Sequence, residues 1–508
     1  MTLYESRDTT VRGLYWQYVS SIFLVLVGAL FYIFIVHVYS TEIVGVFSLL
    51  SAIAYLFSIV FILGLQSGMQ HFISYHLGRG EDRAIREFVR KFSILALILS
   101  ALAFLTLWFL SPFLSLVFFH TYAFLDYLKL IDVELFAMVL NGIMIGMLLG
   151  LQSFKMGGIA SIAVNAIGYG LIIPMLLVNM DPIRIIYAWI IGYYATTAII
   201  LIFLHRRLKN VRPGTDEKVD LRPVFSYSIP LFVSGLMGYG ASYVDRFTVS
   251  FFLNLSELGI YNFSLLIVTS LGLLVSPFTV ILFSRLSEFY GKKDMESFRL
   301  YSLKGVEVLT AIYIPVALVV AALSPSIILF LSNGSYLPGY VPITIILVVS
   351  ALTVSVNILG VTLQAIRKTK IFIISSSLAL LSNFIISIAL IPHYGIDGAA
   401  IGYASPSVVG FAVILYYSRK YGTFFMEKVR MLKIFGSGFI TFFLMIVVQD
   451  RLGYSILKLF VYLVTGLAVY LFFIRVFYTF DEKDIDLFLG MIPGNYKRMK
   501  RFIRSLFV

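Results

Sequence analysis

The most constraining feature of this sequence is its succession of long apolar runs. A helix needs about 20 mainly apolar residues to cross the hydrocarbon core of a bilayer, and runs of that kind recur along the whole chain. They lie near residues 15–39, 43–68, 92–118, 131–151, 158–180, 183–204, 224–245, 257–284, 305–331, 341–363, 371–391, 396–418, 434–449 and 455–478. A composition of 60% hydrophobic and 13% charged residues is also far from that of a soluble domain. We therefore predict an all-α polytopic membrane protein with 14 transmembrane helices.

The Lys and Arg residues fall almost entirely on one side of this predicted topology. Of the 39 such residues, those that fall on the other side are Lys129, Arg184, Arg246, Arg451 and Lys458. Cytoplasmic loops carry the excess of Lys and Arg in membrane proteins, so we predict a multi-pass protein of the cell membrane with both termini in the cytoplasm. The net charge of +13 follows from this topology, and we expect no nucleic-acid partner.

The loops predicted on the outer side are short. A membrane glycosyltransferase or polymerase that acts on lipid-linked sugars needs paired carboxylates or a metal site on a substantial external loop. The sequence also contains no Cys, which excludes disulfides, thiolate metal sites and Cys nucleophiles. We therefore expect a protein that is not an enzyme, and an enzyme of this kind is the least favoured of the alternatives.

Short stretches of the sequence recur at a nearly constant separation. The stretches LLGLQSFKMGG and GVTLQAIRKTK each contain Leu-Gln and a cation three residues after the Gln, and Gln152 and Gln364 are 212 positions apart. Similar separations relate Gly45 to Gly259 and the stretch IIGYYA to AIGYA. A separation of six helices preserves orientation, so we predict two parallel-repeat six-helix bundles plus two C-terminal helices. The Leu-Gln phrase itself marks either a helix end at the inner membrane surface or a substrate contact.

The repeat gives the predicted domain boundaries. These are an N-terminal six-helix bundle at 1–204, a cytoplasmic linker at 205–223, a C-terminal six-helix bundle at 224–420, transmembrane helices 13 and 14 at 421–480, and a cytoplasmic amphipathic tail at 481–508. In the tail, apolar side chains occupy one helical face and Lys and Arg the other, which is typical of a helix that lies on an anionic leaflet.

Four further stretches resemble a known family. They are GLQSGMQHFISYHLGRGED at the end of span 2, YSIPLFVSGLMGYGASYVDRF in span 7, SELGIYNFSLL at the start of span 8 and IPHYGIDGAAIGYASPS between spans 11 and 12. Over roughly residues 10–480 the chain is similar to the multidrug/oligosaccharidyl-lipid/polysaccharide flippase superfamily, in the branch of polysaccharide transporters that includes O-antigen-type flippases. The resemblance implies a monomer in the bilayer that moves a polyprenyl-(pyro)phosphate-linked oligosaccharide from the inner to the outer leaflet by alternating access between the two bundles.

Polar residues at the end of span 2 are candidates for substrate binding. Gln66 and Gln70 are four positions apart, so their amides share one helical face, and the imidazole of His71 follows directly after them. The alternative is that these residues only mark the cytoplasmic interface.

Three arginines are candidates for the inner entrance of a substrate cavity. Arg12 and Arg222 occupy matching positions of the two repeats, and Arg285 lies at the inner end of span 8. Such cations suit a phosphate group. They equally suit the general excess of positive charge on the cytoplasmic side.

Amides inside the spans form another group of candidates, comprising Asn141, Asn165 and Asn357. Interhelical hydrogen bonds of such groups contribute about 0.6 kcal/mol on average, and packing is the commoner role. We retain Asn357 as a candidate substrate contact.

Asp245 and Arg246 are adjacent charges in span 7. In flippases of lipid-linked precursors, a span-7 carboxylate joins polar groups of span 11 at a sodium site, and the resemblance implies Asp245 and Asn383 for that role. Arg246 is a candidate for substrate binding, and a structural ion pair with Asp245 is the alternative. We expect no cofactor other than a coupling ion, either sodium or a proton, and the residues leave any further metal open.

The main alternative function within the superfamily is a cation-coupled multidrug exporter. Such exporters commonly have twelve spans and an acidic residue inside the N-terminal bundle. Span 1 contains no acid, and the nearest candidates, Asp132 and Glu134, begin span 4 at its outer end. The sequence therefore favours the flippase.

Overall fold

The computed structural model describes residues 27–28, 30–78, 81–151, 153–208, 222–332, 334–366, 368, 370–454 and 456–480. Residues 30–38 are helical, and no described residue lies in a β-strand. The helices that follow are α1 (Thr41–Ile62), α2 (Leu65–Gly78), α3 (Asp82–Leu114), α4 (Leu125–Gly150), α5 (Phe154–Val178), α6 (Ile183–Leu208), α7 (Arg222–Phe252), α8 (Leu255–Ser270), α9 (Gly272–Gly291), α10 (Met295–Ala322), α11 (Ser324–Leu331), α12 (Tyr340–Thr353), α13 (Val356–Ala365), α14 (Lys370–Lys420), α15 (Lys428–Leu452) and α16 (Ile456–Val476). The all-α prediction is therefore confirmed for the described part of the chain.

Eleven helical segments of the described part are long and apolar enough to cross a bilayer, and the bent pair α12 and α13 makes a twelfth. The predicted count of 14 stays a prediction, since most of the first predicted span and all of the amphipathic tail lie outside the described residues. A second reason is α14, which contains 51 residues. An unbroken helix of that length would be about 75 Å long, far more than a bilayer needs.

A backbone break divides α14 into two parts. Gly395 has φ 56° and ψ −136°, a conformation that glycine adopts without the steric cost of a side chain. The parts on either side of the break lie against each other: the Oγ atom of Ser405 donates to the Oγ atom of Ser382 at 3.2 Å. α14 is therefore two helices packed side by side, as the two runs at 371–391 and 396–418 predict.

The chain divides into two compact units, Met1–Gly259 and Ile260–Val508. In the first unit α4 lies at the centre, in contact with α1, α2, α3, α5 and α6, while α7 packs against α1 and α2. The repeat places the residues of α7 in the second bundle, and the domain boundaries derived from the repeat stay a prediction.

A stripe of glycines on α4 explains how closely α2 approaches it. Gly142, Gly146 and Gly150 recur every four residues and so share one helical face. A Cβ atom at Gly146 would overlap the backbone of Gln66, and one at Gly150 would contact Ile73. Small residues allow membrane helices to approach closely in this way. The stripe therefore fixes the position of α2, which carries the predicted amide pair.

A second close approach joins α1 to the beginning of α8. A Cβ atom at Gly45 would overlap the carbonyl of Leu255, and a Cβ atom at Gly259 would overlap the carbonyl of Thr41. The hydroxyl groups of Thr41 and Ser256 also form a hydrogen bond. The two glycines that the sequence comparison pairs are thus in reciprocal backbone contact, while the repeat as a whole stays a prediction.

In the second unit α10 lies at the centre, in contact with α9, α12, α13, α15 and α16. Its buried Glu307 accepts hydrogen bonds from Lys304 at 3.0 Å and from Arg430 of α15 at 2.9 Å. At the other end of α15, the Oε1 atom of Gln449 accepts from Ser326 and its amide donates to the carbonyl of Ala322. α15 is therefore attached to the rest of this unit by buried polar contacts at both of its ends.

The Glu307 contact gives a testable stability prediction. Glu307→Ala leaves Lys304 and Arg430 without their shared buried carboxylate, a change that typically destabilises by about 3–5 kcal/mol. We expect a clear fall in the unfolding temperature of the full chain in detergent. Glu427→Ala is the matched control, because it removes an exposed partner of Arg430 at 3.3 Å, and we expect at most about 1 kcal/mol. Equal falls in the two variants would contradict a special role for Glu307.

The glycine stripe gives a second prediction. Gly146→Ala places a methyl group on the backbone of Gln66, so α2 must shift, and we expect a lower unfolding temperature. Gly170→Ala in α5 is the control, since no atom lies within 4 Å of the added methyl group. Ala is favoured over Gly inside a helix by up to about 1 kcal/mol, so this control should be neutral or stabilising. A Gly146→Ala variant as stable as the Gly170→Ala variant would show that α2 and α4 are not in close contact.

Candidate functional site

The predicted amide pair lies on an accessible face of α2. Leu63 and Gly64 have positive φ values of 52° and 71°, which end α1 and redirect the chain into α2. Gln66 and Gln70 then lie one turn apart, and both are exposed. The prediction that they share a face is confirmed, while their contact with a substrate stays a prediction.

His71 joins this face to the beginning of α7. Its ring stacks on that of Tyr227, with centroids 4.5 Å apart and an interplanar angle of 15°. Gly68 allows this approach, since a Cβ atom there would overlap the Oγ atom of Ser228. Arg222 is the first residue of α7 and is exposed. The structure thus brings the amide pair and His71 against the end of α7 at which Arg222 lies.

Arg246 lies on a stack of tyrosines in the first unit. Its guanidinium carbon is 4.1 Å from the centroid of the Tyr243 ring, which stacks on Tyr239 at 4.4 Å. Tyr55 of α1 contacts both rings at 6.3 and 5.7 Å. Only 9% of Arg246 is exposed, and its Nη1 atom donates to the carbonyl of Ser242 at 2.8 Å. The arrangement presents one cation beside a continuous aromatic surface.

The spacing in α7 could have indicated this stack. Tyr239, Tyr243 and Arg246 follow one another at intervals of four and three residues, which places all three on one helical face. Tyr55 could not have been found in this way, because it is contributed by a different helix. The ring of Tyr239, which lies beside Tyr55, is held in place because its hydroxyl group donates a hydrogen bond of 2.5 Å to the carbonyl of Ala52 in α1.

The two residues implied for sodium coupling are both buried. Asp245 is fully buried in the first unit. Asn383 belongs to the second unit, where its Oδ1 atom accepts a hydrogen bond from Ser387 at 2.9 Å and lies against Gly402. Each is therefore a polar group held inside a membrane-spanning helix, and their joint action on an ion stays a prediction.

Two acids that the sequence predicts at the start of a span lie inside a helix instead. α4 begins at Leu125, so Glu134 lies nine residues into the helix, about 13 Å from its start, instead of at the beginning of a span. Asp132 and Glu134 are both buried, with 6% of Glu134 exposed. Among the described residues, no hydrogen-bond donor reaches the Oε2 atom of Glu134. The first unit therefore does contain an internal carboxyl group.

Polar groups surround this carboxyl group. Tyr169 of α5 and Tyr193 of α6 lie close enough to interact with Glu134 electrostatically. Two turns further along α4, the amide of Asn141 donates to the carbonyl of Tyr193 at 3.0 Å and accepts from Thr197 at 2.9 Å. The predicted packing role of Asn141 is confirmed. Glu134 thus lies at the end of a polar core that joins three helices.

The candidate amide Asn357 lies at a break in a membrane span. The direction of the chain changes by 45° between α12 and α13, and the amide of Asn357 donates to the carbonyl of Val354 at 3.0 Å within the break. β-Branched residues, Ser and Asn are among the poorer helix formers, and the local sequence TVSVN consists of them. The side chain of Asn357 is exposed.

Two adjoining clefts meet at this break. One has a volume of about 270 Å³ and includes Thr279, Gln364 and Ser375 in its lining. The other has a volume of about 200 Å³ and includes Tyr313, Ser350 and Ser407. Both include Asn357 and Gly410. The arrangement offers amides and hydroxyl groups to a ligand with many hydroxyl groups.

The structure leaves some candidates untested. Arg12 and Gln152 lie outside the described residues, as does the side chain of Arg285 in α9. Gln364 lies in the last turn of α13 and also lines a cleft, so the second Leu-Gln phrase agrees with both interpretations. Within the described part of the chain, no three His, Asp or Glu side chains form a group that could hold a metal ion.

Comparisons with solved structures show the fold. The chain matches a lipid II flippase, MurJ, in an inward closed conformation, with a TM-score of 0.69 and 17% identity over 91% of this chain and 98% of that one. It also matches an inward-facing multidrug resistance MATE family transporter of the MOP superfamily, with a TM-score of 0.60 and 14% identity over 78% of this chain and 94% of that one. A MOP superfamily transporter from Pyrococcus furiosus with a binding pocket of reversed polarity matches with a TM-score of 0.53 and 15% identity over 80% of this chain and 92% of that one.

Comparison of the sequence with protein families identifies the family. No curated protein matches the sequence. A family described as polysaccharide biosynthesis protein matches residues 45–341, which is more than half of the chain. The resemblance inferred from the sequence motifs is confirmed, and the chain is a multi-pass membrane protein that belongs to the polysaccharide biosynthesis protein family.

Proposed function

We propose that this protein is a flippase that moves a polyprenyl-(pyro)phosphate-linked oligosaccharide from the inner to the outer leaflet. It does so by alternating access between two helix bundles, as a monomeric transporter of the cell membrane with both termini in the cytoplasm. The observation that carries the proposal is Arg246 on its stack of tyrosines within a membrane-spanning helix. Such a substrate combines a phosphate, which needs a cation, with sugar rings, which suit aromatic faces and neutral polar groups.

Arg246 has the properties of a residue that binds a phosphate group. An arginine inside a membrane-spanning helix costs free energy and is a functional candidate by default. A guanidinium is the group that suits bidentate contact with phosphate oxygens, and Tyr243 packs on one face of it here. Arg12, Arg222 and Arg285 act earlier on the path, where the substrate head group enters from the cytoplasm.

The amides and hydroxyl groups supply the sugar contacts. Gln66, Gln70 and His71 form one accessible polar face, and Asn357 with its two clefts forms another. Amides and an imidazole both donate and accept hydrogen bonds, so these groups suit sugar hydroxyl groups. The likeness in fold to a lipid II flippase supports the same class of substrate.

Coupling to an ion gradient acts through buried polar residues. Asp245 and Asn383 are the sodium candidates that the family resemblance implies. Glu134 is a third candidate, because a carboxyl group buried among tyrosines takes up a proton or a cation more readily than it stays charged and unaccompanied. A coupling ion that neutralises Glu134 would favour the compact arrangement of α4, α5 and α6.

A cation-coupled multidrug exporter is the second candidate function. Glu134 favours it, since such exporters commonly have an acidic residue inside the N-terminal bundle and Glu134 is a buried acid in the first unit. The likeness in fold to a MATE family transporter also supports it. Arg246 argues against it, because a cation beside the aromatic surface repels a cationic drug.

The first prediction of the proposal concerns transport. Full-length protein is placed in proteoliposomes with a fluorescent polyprenyl-pyrophosphate oligosaccharide, and an external glycan-cleaving enzyme reports the accessible fraction over time. We expect a protein-dependent rise. Arg246→Gln should slow it by about 10- to 100-fold, because a hydrogen bond to a charged group contributes about 1.5–3 kcal/mol.

Arg451→Gln is the matched control for the transport assay, since Arg451 is an exposed arginine in the last turn of α15. It should leave the rate unchanged, and unfolding temperatures should confirm that both variants are folded. Transport of a cationic dye in the same vesicles, without any rise in the accessible glycan, would move the assignment to the multidrug exporter.

The second prediction concerns coupling. A proton gradient directed into the vesicle lumen or out of it should change the initial rate of transport in the wild type, and Glu134→Gln should abolish that response because its side chain cannot titrate. The exposed Glu42→Gln variant should retain the response. Two results together would assign coupling to the sodium candidates instead. The Glu134→Gln variant would keep its full response to the proton gradient, and the Asn383→Ala variant would lose the response of the transport rate to a sodium gradient.

A further inference from the structure

A cleft of about 360 Å³ lies in the second unit, at the end of α10. It is formed where α10 ends at Ala322 and where α11, α12 and the last turns of α15 meet. The polar residues that line it are Ser324, Tyr340, Thr344, Gln449, Asp450 and Tyr454. Its volume is at the lower end of the range of about 300–1,000 Å³ that ligand sites occupy. None of these residues belongs to the transport site proposed above.

The floor of this cleft is polar and fixed. Gln449 is only 3% exposed, and its amide donates to the carbonyl of Ala322 at 3.2 Å. Ser324 and Thr344 both donate to the carbonyl of Ala321, at 2.8 and 3.2 Å. The last carbonyls of a helix have no partner within the helix, so side chains satisfy them here.

The rim combines aromatic rings with one carboxylate. Tyr340 is 43% exposed and Tyr454 is 50% exposed, and Asp450 is exposed beside them. Within the described part of the chain, no Lys or Arg side chain lines this cleft. The carboxyl end of α10 also carries partial negative charge. An anionic ligand such as a phosphate is therefore disfavoured, and a ligand that donates hydrogen bonds is favoured.

The ligand class follows from these groups. Sugar hydroxyl groups donate to carboxylate and carbonyl oxygens, and the apolar faces of sugar rings pack on tyrosines. In the predicted topology this end of α10 and α15 lies on the outer side of the membrane. We propose that the cleft binds neutral sugar units of the oligosaccharide after they reach the outer side. This inference rests on the proposed transport function and gives the attachment of α15 to α10 a role in product binding.

The experiment uses the absence of Cys from the wild-type chain. Leu337, which lines the cleft and is 37% exposed, is replaced in the variant Leu337→Cys of the full-length protein. A membrane-impermeant maleimide is added from the side predicted to be outer, with and without lipid-free chitotetraose. We expect labelling to be about tenfold slower at a chitotetraose concentration of about ten times the fitted Kd. Adding Asp450→Asn and Tyr454→Ala should remove most of this protection.

The control is Tyr394→Cys, at an exposed tyrosine that does not line the cleft, and chitotetraose should not protect it. No protection at Leu337→Cys would overturn the proposal, as would protection by choline but not by chitotetraose, which would identify a cation site. Protection that survives the Asp450→Asn and Tyr454→Ala changes would also overturn it. The glycan transport assay runs separately, so a normal transport rate without protection refutes only this inference.

Discussion

The absence of water from the hydrocarbon core of the bilayer is the constraint on which the rest of this structure depends. Every backbone polar group there needs a partner within the protein, so the chain is helical and each interruption of a helix needs a side chain to satisfy it. The Asn357 side chain donates a hydrogen bond to the carbonyl of Val354 at the bend of one span, and the Gln449 side chain donates one to the carbonyl of Ala322 at the end of another. Polar side chains and helix ends therefore coincide, and the candidate binding clefts lie at these points.

The positions of the spans could be predicted from the sequence, but the interruptions could not. A stretch of about 20 apolar residues is a strong signal of a span. The break at Leu63 and Gly64 lies inside one predicted run, 43–68, and the bend near Asn357 lies inside another, 341–363. Because these runs are apolar on all sides, hydropathy does not indicate where the helix bends. What decides the bend is local: a positive φ at Gly64, and poor helix formers before Asn357.

Some features of the candidate site could be predicted from the sequence, and others could not. The shared face of Gln66 and Gln70 follows from their spacing alone. The partnership of Tyr55 with Arg246 does not, since it depends on two helices that are distant in sequence. Glu134 was placed at a helix end because the charged and polar residues before it lower the local hydropathy, yet the helix begins nine residues earlier. A charge inside a helix is therefore easily mistaken for the boundary of a span.

The distribution of charge between the candidate sites bears on the proposed substrate. Arg246 lies in the last two turns of α7, and a charged side chain within a membrane helix costs free energy that an apolar residue in its place would avoid. The stack on Tyr243, which contributes about 0.5–2 kcal/mol, and the hydrogen bond to the carbonyl of Ser242 both offset this cost. The clefts at Asn357 and Gln449 include no Lys or Arg among the described residues that line them, so they offer no comparable attraction for an anion. In the proposed function, one cationic contact binds the phosphate and several neutral contacts bind the sugars, a pattern that suits a charged lipid-linked glycan that must be both bound and released.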